Sequence, residues 1–253
     1  MIKGMYSAVS AMIMNAARQQ ILAHNVANIE TPGFKQILTN AEEWAKTPVL
    51  YSPGNILQNQ RLSYVGLLGL GTELGPQVTD FTQGGLQLTQ NPLDLAIEGE
   101  GFFRVRTPQG ERYTRDGRFL RDAQNNLVTV DGYFVLSDGG QPIRLPDGEV
   151  MVLPDGTIQV NGAQVARLGL ARFADPRAEL QREEGNLYSG PAASTEQGPV
   201  RVVQGALEMS NANPTQLMTQ LVEVGRAYEA ALKMVQNQDE LLGKTIASLG
   251  RIG

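Results

Sequence analysis

The sequence predicts an α+β protein. Its N- and C-terminal helices form a coiled-coil layer, with a mainly antiparallel β domain, sandwich or barrel-like, between them. Three observations predict this. Residues 4–28 and 214–249 both carry apolar side chains at alternating steps of four and three, the period of a helix seam. Residues 81–204 instead hold short β-branched and aromatic runs. Between those runs lie Asp-Gly and Asn-Gly pairs, which accommodate the positive φ angles of tight hairpin turns. Two like ends around a dissimilar middle suggest a chain whose ends meet. The expected segments are a helix within residues 1–35, an extended linker or arm over 36–80, the β domain over 81–204 and a helix within 205–253.

In the first helix the repeating positions are Met5, Val9, Met12, Ala16, Gln19, Ala23 and Val26. At about 1.5 Å per residue, a helix of this length runs about 40 Å. The stretch Asn25-Val-Ala-Asn-Ile-Glu-Thr-Pro-Gly-Phe-Lys35 ends it. Asn28 suits a helix C-terminus because Asn tolerates the left-handed conformation. Pro32 turns Thr31 away from the α region and has no backbone N–H to donate, so the helix should stop by Ile29. Gly33 permits a sharp turn and Phe34 supplies an apolar anchor beyond it.

Residues 36–80 are punctuated by Gln, Asn, Gly and Pro around short apolar pieces such as Val49-Leu-Tyr51. Their glycines do not make a nucleotide loop, because no Gly-Lys-Ser/Thr follows. Strands are expected at Gly101-Phe-Phe-Arg-Val-Arg106, Leu127-Val-Thr-Val130, Tyr133-Phe-Val-Leu136 and Val150-Met-Val-Leu153. Turns are expected at Asp116-Gly117, Asp131-Gly132, Asp138-Gly139, Asp147-Gly148, Asp155-Gly156 and Asn161-Gly162. Pro214 at the first position then opens the last helix, with Asn213 before it as a cap. Its seam is Leu217, Leu221, Val224, Tyr228, Ala231, Val235, Gln238, Leu242, Thr245 and Leu249. Gly225 and Gly243 each cost roughly 1 kcal/mol against Ala, so packing against another helix must carry the segment.

A net charge of -5 and a pI near 5.1 argue against a nucleic-acid partner. The absence of cysteine excludes disulfides and thiolate metal sites. No run of about 18 apolar residues is present, so no membrane insertion is expected. Residues 3–17 imitate a signal peptide, but Ser7 and Ser10 interrupt the apolar run and the helical period continues past the imitated cleavage site. His24 is the only histidine, and no Gly-x-Ser-x-Gly elbow exists. Asp94, Glu98 and Glu100 are the one acidic cluster beside an apolar strand. A carboxylate pair there could serve glycan hydrolysis, although a solvated turn explains it more simply. No enzyme activity, catalytic residue, cofactor or metal is expected.

Three ordered motifs resemble those of the bacterial flagellar basal-body rod and hook protein family. Asn25-Val-Ala-Asn-Ile-Glu-Thr-Pro-Gly-Phe-Lys35 matches the N-terminal signature, and Asn91-Pro-Leu-Asp-Leu-Ala-Ile-Glu-Gly-Glu-Gly-Phe-Phe103 the central one. Tyr113-Thr-Arg-Asp-Gly-Arg-Phe119 follows the latter, and Val203-Gln-Gly-Ala-Leu-Glu-Met-Ser-Asn211 matches the C-terminal signature. The resemblance implies a structural subunit that polymerises helically through its terminal helices into the axial drive shaft and export channel. Implied partners are copies of itself, paralogous rod and hook subunits, and the flagellar type III export apparatus, with export as an uncleaved chain. The implied location is the basal-body rod, crossing the periplasm or cell envelope. Residues 36–75 and the Leu-Gly-Lys-Thr-Ile-Ala-Ser-Leu-Gly-Arg ending resemble the proximal more than the distal rod type. The implied assembly residues are Met5, Val9, Met12, Asn25, Ala27, Asn28, Thr31, Pro32, Gly33 and Phe34, with Leu217, Leu221, Val224, Tyr228, Val235 and Leu242. An envelope-located β domain that binds or cleaves cell-wall glycan is the alternative.

Overall fold

The computed structural model describes residues 2–44, 46–51, 63–191 and 200–249. The side chain of Leu249 and the closing residues Gly250 and Arg251 lie outside the described part. Helix α1 (Ile2–Ala27) is followed by β1 (Ile37–Leu38), β2 (Ala41–Glu43), β3 (Lys46–Tyr51), β4 (Ser63–Gly69), β5 (Thr72–Leu74) and β6 (Val78–Thr79). Next come β7 (Leu86–Leu88), β8 (Leu95–Glu98), β9 (Phe102–Thr107), β10 (Gly110–Thr114), β11 (Phe119–Arg121), β12 (Leu127–Thr129) and β13 (Phe134–Val135). Then follow β14 (Val150–Val152), β15 (Thr157–Val160), β16 (Ala163–Arg167), β17 (Leu170–Ala171) and the short α2 (Pro176–Glu179). The chain closes with β18 (Gln181–Arg182), β19 (Leu187–Ser189), β20 (Arg201–Gln204), β21 (Ala206–Glu208) and α3 (Pro214–Leu249).

These elements divide into two compact units. One comprises Met1–His24, Leu38–Gln77 and Thr215–Gly253, the other Asn25–Ile37 and Val78–Pro214. In the first unit, α3 keeps the expected stripe. Leu217, Val224 and Ala231 are buried and Leu221, Tyr228, Val235, Gln238 and Leu242 are half-buried, while Thr245 is exposed. An exposed ion pair joins Lys244 to Glu240 at 2.9 Å. On α1 the most buried positions of this unit are Ala8, Met14, Asn15, Ile21 and Leu22. Met5, Val9, Met12 and Ala16 are half-buried, and Gln19 and Ala23 are exposed. The difference has a plain cause. Residues 5–17 are rich in Ala and Met on every side of the helix, so their period does not fix which face is inward.

Within the stretch read as a linker or arm, the described strands β2 to β5 form an antiparallel two-stranded ribbon. β2 pairs antiparallel with β5 from Ala41↔Leu74 to Glu43↔Thr72. β3 pairs with β4 from Lys46↔Gly69 to Tyr51↔Ser63, with a shift of register between Val49 and Leu50. The ribbon is held to α1 by a bond from the Thr72 N–H to Ser10 Oγ at 3.2 Å.

In the second unit the pairings of β7 to β21 are antiparallel. The main open sheet runs β11-β12-β13-β9-β10-β19-β18, with β17 also on β9. Smaller pieces are β14-β15-β16, β20-β8 and β21-β7. The expected turns largely appear. Asn161 (φ 51) and Gly162 (φ 80) close β15 onto β16, both left-handed as a two-residue hairpin needs. Gly132 and Gly156 turn β12 into β13 and β14 into β15. Asp116-Gly117 and Asp147-Gly148 are exceptions, because neither closes a described hairpin. The Asp116 carboxylate holds Arg118 at 2.6 Å, and Gly117 lies so close to Leu95 that a Cβ would sit 1.6 Å from its carbonyl oxygen.

Two clusters form the core of this unit. Leu95, Ile97, Phe103, Val105, Phe119 and Leu127 belong to the larger. The smaller is aromatic: Phe102, Tyr113, Phe173 and Tyr188, with Phe81 packed against it. Its rings meet mostly edge to face at centroid distances such as 4.8 Å for Tyr113–Phe173, an arrangement favoured by the ring quadrupoles.

Candidate functional site

The Asn25–Lys35 stretch folds as part of the β-rich unit. Helix α1 ends at Ala27 and tails off through Asn28 N→Asn25 O (3.2 Å) and Ile29 N→Val26 O (3.3 Å). Asn28 does not take the left-handed conformation expected of it; Gly33 does, at φ +69. Asn25 is buried and imitates a strand partner. Its Nδ2 donates to Ile37 O at 2.8 Å and its Oδ1 accepts from Ile37 N at 3.0 Å, which closes the loop between them. Thr31 Oγ1 donates to Asn28 Oδ1 at 3.2 Å, and Asn186 Nδ2 donates to Pro32 O at 3.0 Å.

Beyond Pro32 the stretch enters the interior. The Gly33 N–H donates to Glu208 O at 2.6 Å. A Cβ at Gly33 would stand 2.4 Å from both the carbonyl carbon of Arg115 and the nitrogen of Asp116, so only glycine fits. The ring of Phe34 lies under the Arg182 guanidinium at 4.3 Å, and Arg182 Nη1 donates to Lys35 O at 2.6 Å.

Lys35 is 1% exposed and ends in a buried ion cluster. Its Nζ donates to Glu208 Oε1 at 2.5 Å and to Thr82 O at 2.7 Å. Arg115 Nη1 donates to Glu208 Oε2 at 2.9 Å and Arg115 Nη2 to Gly99 O at 2.7 Å. The Gly84 N–H completes the carboxylate at 2.9 Å. Burial pushes both the Lys35 and the Arg115 pKa down, and the Glu208 carboxylate works against that shift in each case. A second knot lies alongside. Asn211 Oδ1 accepts from Gln36 N at 2.9 Å, and its Nδ2 donates to Asp80 O at 2.8 Å. Burial raises the Asp80 pKa, but hydrogen bonds from Gln36 and Thr82 outweigh it and hold the carboxyl below its usual range.

The expected assembly residues therefore fall into two groups. Asn25, Pro32, Gly33 and Phe34 are buried in the β-rich unit, with Asn28 and Thr31 half-buried and Ala27 exposed. Met5, Val9 and Met12 lie in the helical unit with Leu217, Leu221, Val224, Tyr228, Val235 and Leu242. Sequence reasoning missed the partners of the first group: Lys35, Asp80, Arg115, Arg182, Glu208 and Asn211. A signal existed for Glu208, which interrupts the apolar run Ala206-Leu207 at the end of a strand.

The acidic cluster offers no paired carboxylates. Asp94 accepts from Asn91 at 3.0 Å, Glu98 faces Arg201 at 3.7 Å and Glu100 holds Arg172 at 2.9 Å. Among the described residues no group of three or more His, Cys, Asp or Glu is placed to hold a metal ion. No described helix is long and apolar enough to cross a membrane.

Comparison with known proteins agrees with this geometry. Three family models match in order: "Flagella basal body rod protein" over residues 5–35, "Flagellar hook protein FlgE/F/G D1 domain" over 96–160 and "Flagellar basal body rod FlgEFG protein C-terminal" over 203–249. The flagellar basal-body rod protein FlgF of Caulobacter vibrioides is 35% identical over 261 residues, covering 100% of both chains. FlgF of Rhizobium meliloti is 34% identical, covering 98% of each chain. The rod protein FlgG of Borreliella burgdorferi is 31% identical, covering 96% of this chain and 97% of its own. The chain belongs to the flagellar basal-body rod and hook protein family, as a structural subunit located in the flagellar basal body.

Proposed function

We propose that this subunit polymerises helically, with copies of itself and with paralogous rod and hook subunits, through its terminal helices. Pairing of α1 with α3 in a coiled-coil layer, and a sandwich-like closure of the β-rich unit outside it, belong to this reading. So do delivery by the flagellar type III export apparatus, a non-enzymatic role, and the proximal rather than the distal rod type. One observation carries it. The helical unit leaves large apolar side chains uncovered, among them Tyr6, Ile13, Trp44, Val65, Leu67, Met234, Leu241 and Ile246. So many large apolar side chains left exposed in one unit favour a surface that is covered on assembly.

Val224→Asp tests the proposal. Val224 is buried on the α3 stripe between Leu221 and Tyr228, and a carboxylate there meets no cation on the stripe. A buried unpaired charge costs several kcal/mol, and a helical polymer repeats the defect at every subunit. The variant is expected to abolish rod assembly and motility while the aromatic core of the β-rich unit unfolds at the wild-type midpoint. Wild-type motility in a strain carrying only Val224→Asp would remove the stripe from the mechanism.

A further inference from the structure

The β-rich unit is built from two kinds of pairing. Strands β9 to β13 and β17 to β19 take their ladder partners from one another, all within residues 102–189. Among the described strands, β20 pairs only with β8 and β21 only with β7, and none of these four has a ladder to the main sheet. Residues 201–211 therefore form a strap outside that sheet, and much of what they bond is the N-terminal stretch. The Gly33 N–H donates to Glu208 O at 2.6 Å and the Gln36 N–H to Asn211 Oδ1 at 2.9 Å. Lys35 reaches the Glu208 carboxylate. The strap also donates from Val202 N–H to Pro154 O at 2.9 Å, from Gly205 N–H to Asp94 O at 2.8 Å and from Met209 N–H to Gly85 O at 2.8 Å.

The charges make a half-closed form costly. With the strap alone lifted, Lys35 and Arg115 lose the one carboxylate they share, and their side chains are 1% and 4% exposed. With the N-terminal stretch alone lifted, Glu208 loses Lys35 and its carbonyl loses the Gly33 N–H, while Asn211 loses the Gln36 N–H. Buried charges and polar groups left without their partners are strongly disfavoured, whereas lifting both segments admits water to them. We propose that residues 25–37 and 201–211 are one latch, which opens from the main sheet and closes on it as a unit while that sheet stays folded. Lys35 and Glu208 are 173 residues apart, so the latch commits both ends of the chain to the β-rich unit in one step. The open form is a minor state, and heat unfolds the unit from the closed one. The device belongs to the lone subunit and goes beyond the polymerisation proposed above.

Amide hydrogen exchange in the dilute full-length chain, followed residue by residue at low urea, tests this. The amides of Gly33, Val202, Gly205 and Met209 report the latch. Those of Arg104, Leu127 and Ile143, which donate to the carbonyls of Gly169, Ile143 and Val135, report the main sheet. The latch amides are expected to share one opening rate with a shallow dependence on urea, because opening uncovers less surface than unfolding. The main-sheet amides are expected to exchange about tenfold or more slower without urea and to accelerate more steeply with it. Arg182→Gln then separates the two ends. Arg182 holds the N-terminal stretch, donating to Lys35 O at 2.6 Å and lying over the Phe34 ring at 4.3 Å, and none of its described bonds reaches the strap. The variant is expected to speed exchange at Gly33, Val202 and Met209 by one common factor, about tenfold or more. Val202 and Met209 at wild-type rates, whatever Gly33 does, would overturn the latch, because the ends would then open separately. A single urea dependence for latch and main-sheet amides in the wild type would overturn it too, by showing one cooperative block. Neither result bears on polymerisation, which the dilute chain does not undergo.

Discussion

Glu208→Gln probes the ion cluster most sharply, because it keeps the side chain's shape and removes its charge. The carboxylate sits between Lys35 at 2.5 Å and Arg115 at 2.9 Å and is itself 0% exposed. Without it, two buried cations face each other with backbone carbonyls as their hydrogen-bond acceptors and only the more distant Asp80 and Glu100 carboxylates to offset them. Breaking a buried ionic group in this way costs about 3–5 kcal/mol. Lys35→Met is the informative contrast. It leaves one anion with one cation and removes charge-assisted hydrogen bonds worth about 1.5–3 kcal/mol. The β-rich unit holds roughly 150 residues, for which each kcal/mol moves the unfolding midpoint by about 2–4 °C. Glu208→Gln should therefore lower the midpoint by roughly 6–20 °C, and Lys35→Met by roughly 3–12 °C. Near-ultraviolet circular dichroism of the Phe81, Phe102, Tyr113, Phe173 and Tyr188 cluster reads this unit in the full-length chain. Glu208→Gln within about 1 kcal/mol of wild type, or Lys35→Met the more damaging of the two, would refute the reasoning.

Gly33→Ala should destabilise the same unit by more than about 2 kcal/mol, since it adds left-handed strain to a clash with the Arg115 and Asp116 backbone. A urea midpoint equal to wild type would show that the stretch does not hold this conformation in solution. Tyr188→Phe should be neutral or stabilising, because Tyr188 is 0% exposed and its hydroxyl has no hydrogen-bond partner among the described residues. Burial pushes the Tyr188 pKa up to about 12 from 10.0, so the folded state retains a proton that the unfolded chain loses. Stability is then whole below pH 10 and falls by about 2–3 kcal/mol as pH rises to about 12. Unfolding of wild type and Tyr188→Phe across that window checks it, and equal slopes would show that Tyr188 does not titrate late.

The parts of the fold legible in the sequence were those set by local rules. The stripe of α3 could be read because its positions step by three or four and all but Gln238 and Thr245 are apolar, and Pro214 marks where it starts. The Asn161-Gly162 hairpin could be read because a two-residue turn demands positive φ at both positions. The ribbon could not. β3 and β4 carry Pro48, Val49, Tyr64, Val65 and Leu67 without the alternation that identifies a strand, and they pair with each other rather than over a core. The ion cluster was hidden for another reason. Lys35 lies 173 residues from Glu208, and Arg115 lies 93 from it. A charged residue reads as exposed until its partner is known.

That hidden cluster accounts for where the recognisable sequence lies. Lys35 closes the N-terminal stretch, Arg115 lies in Tyr113-Thr-Arg-Asp-Gly-Arg-Phe119 and Glu208 in Leu207-Glu-Met-Ser-Asn211. These are stretches through which the chain resembles its family, and in the folded protein they are one contact. A helix stripe tolerates many apolar residues of similar volume, so it leaves a diffuse pattern. The cluster tolerates few. At Arg115 a lysine could not reach Glu208 and the Gly99 carbonyl together, because that needs the two-pronged guanidinium. Glu208 must accept from Lys35, Arg115 and the Gly84 N–H at once, and a side chain at Gly33 would collide with the backbone of the residue that presents Arg115. Residue identity is therefore strictest where the two terminal segments are joined to the β-rich unit, while the helices need only keep their period.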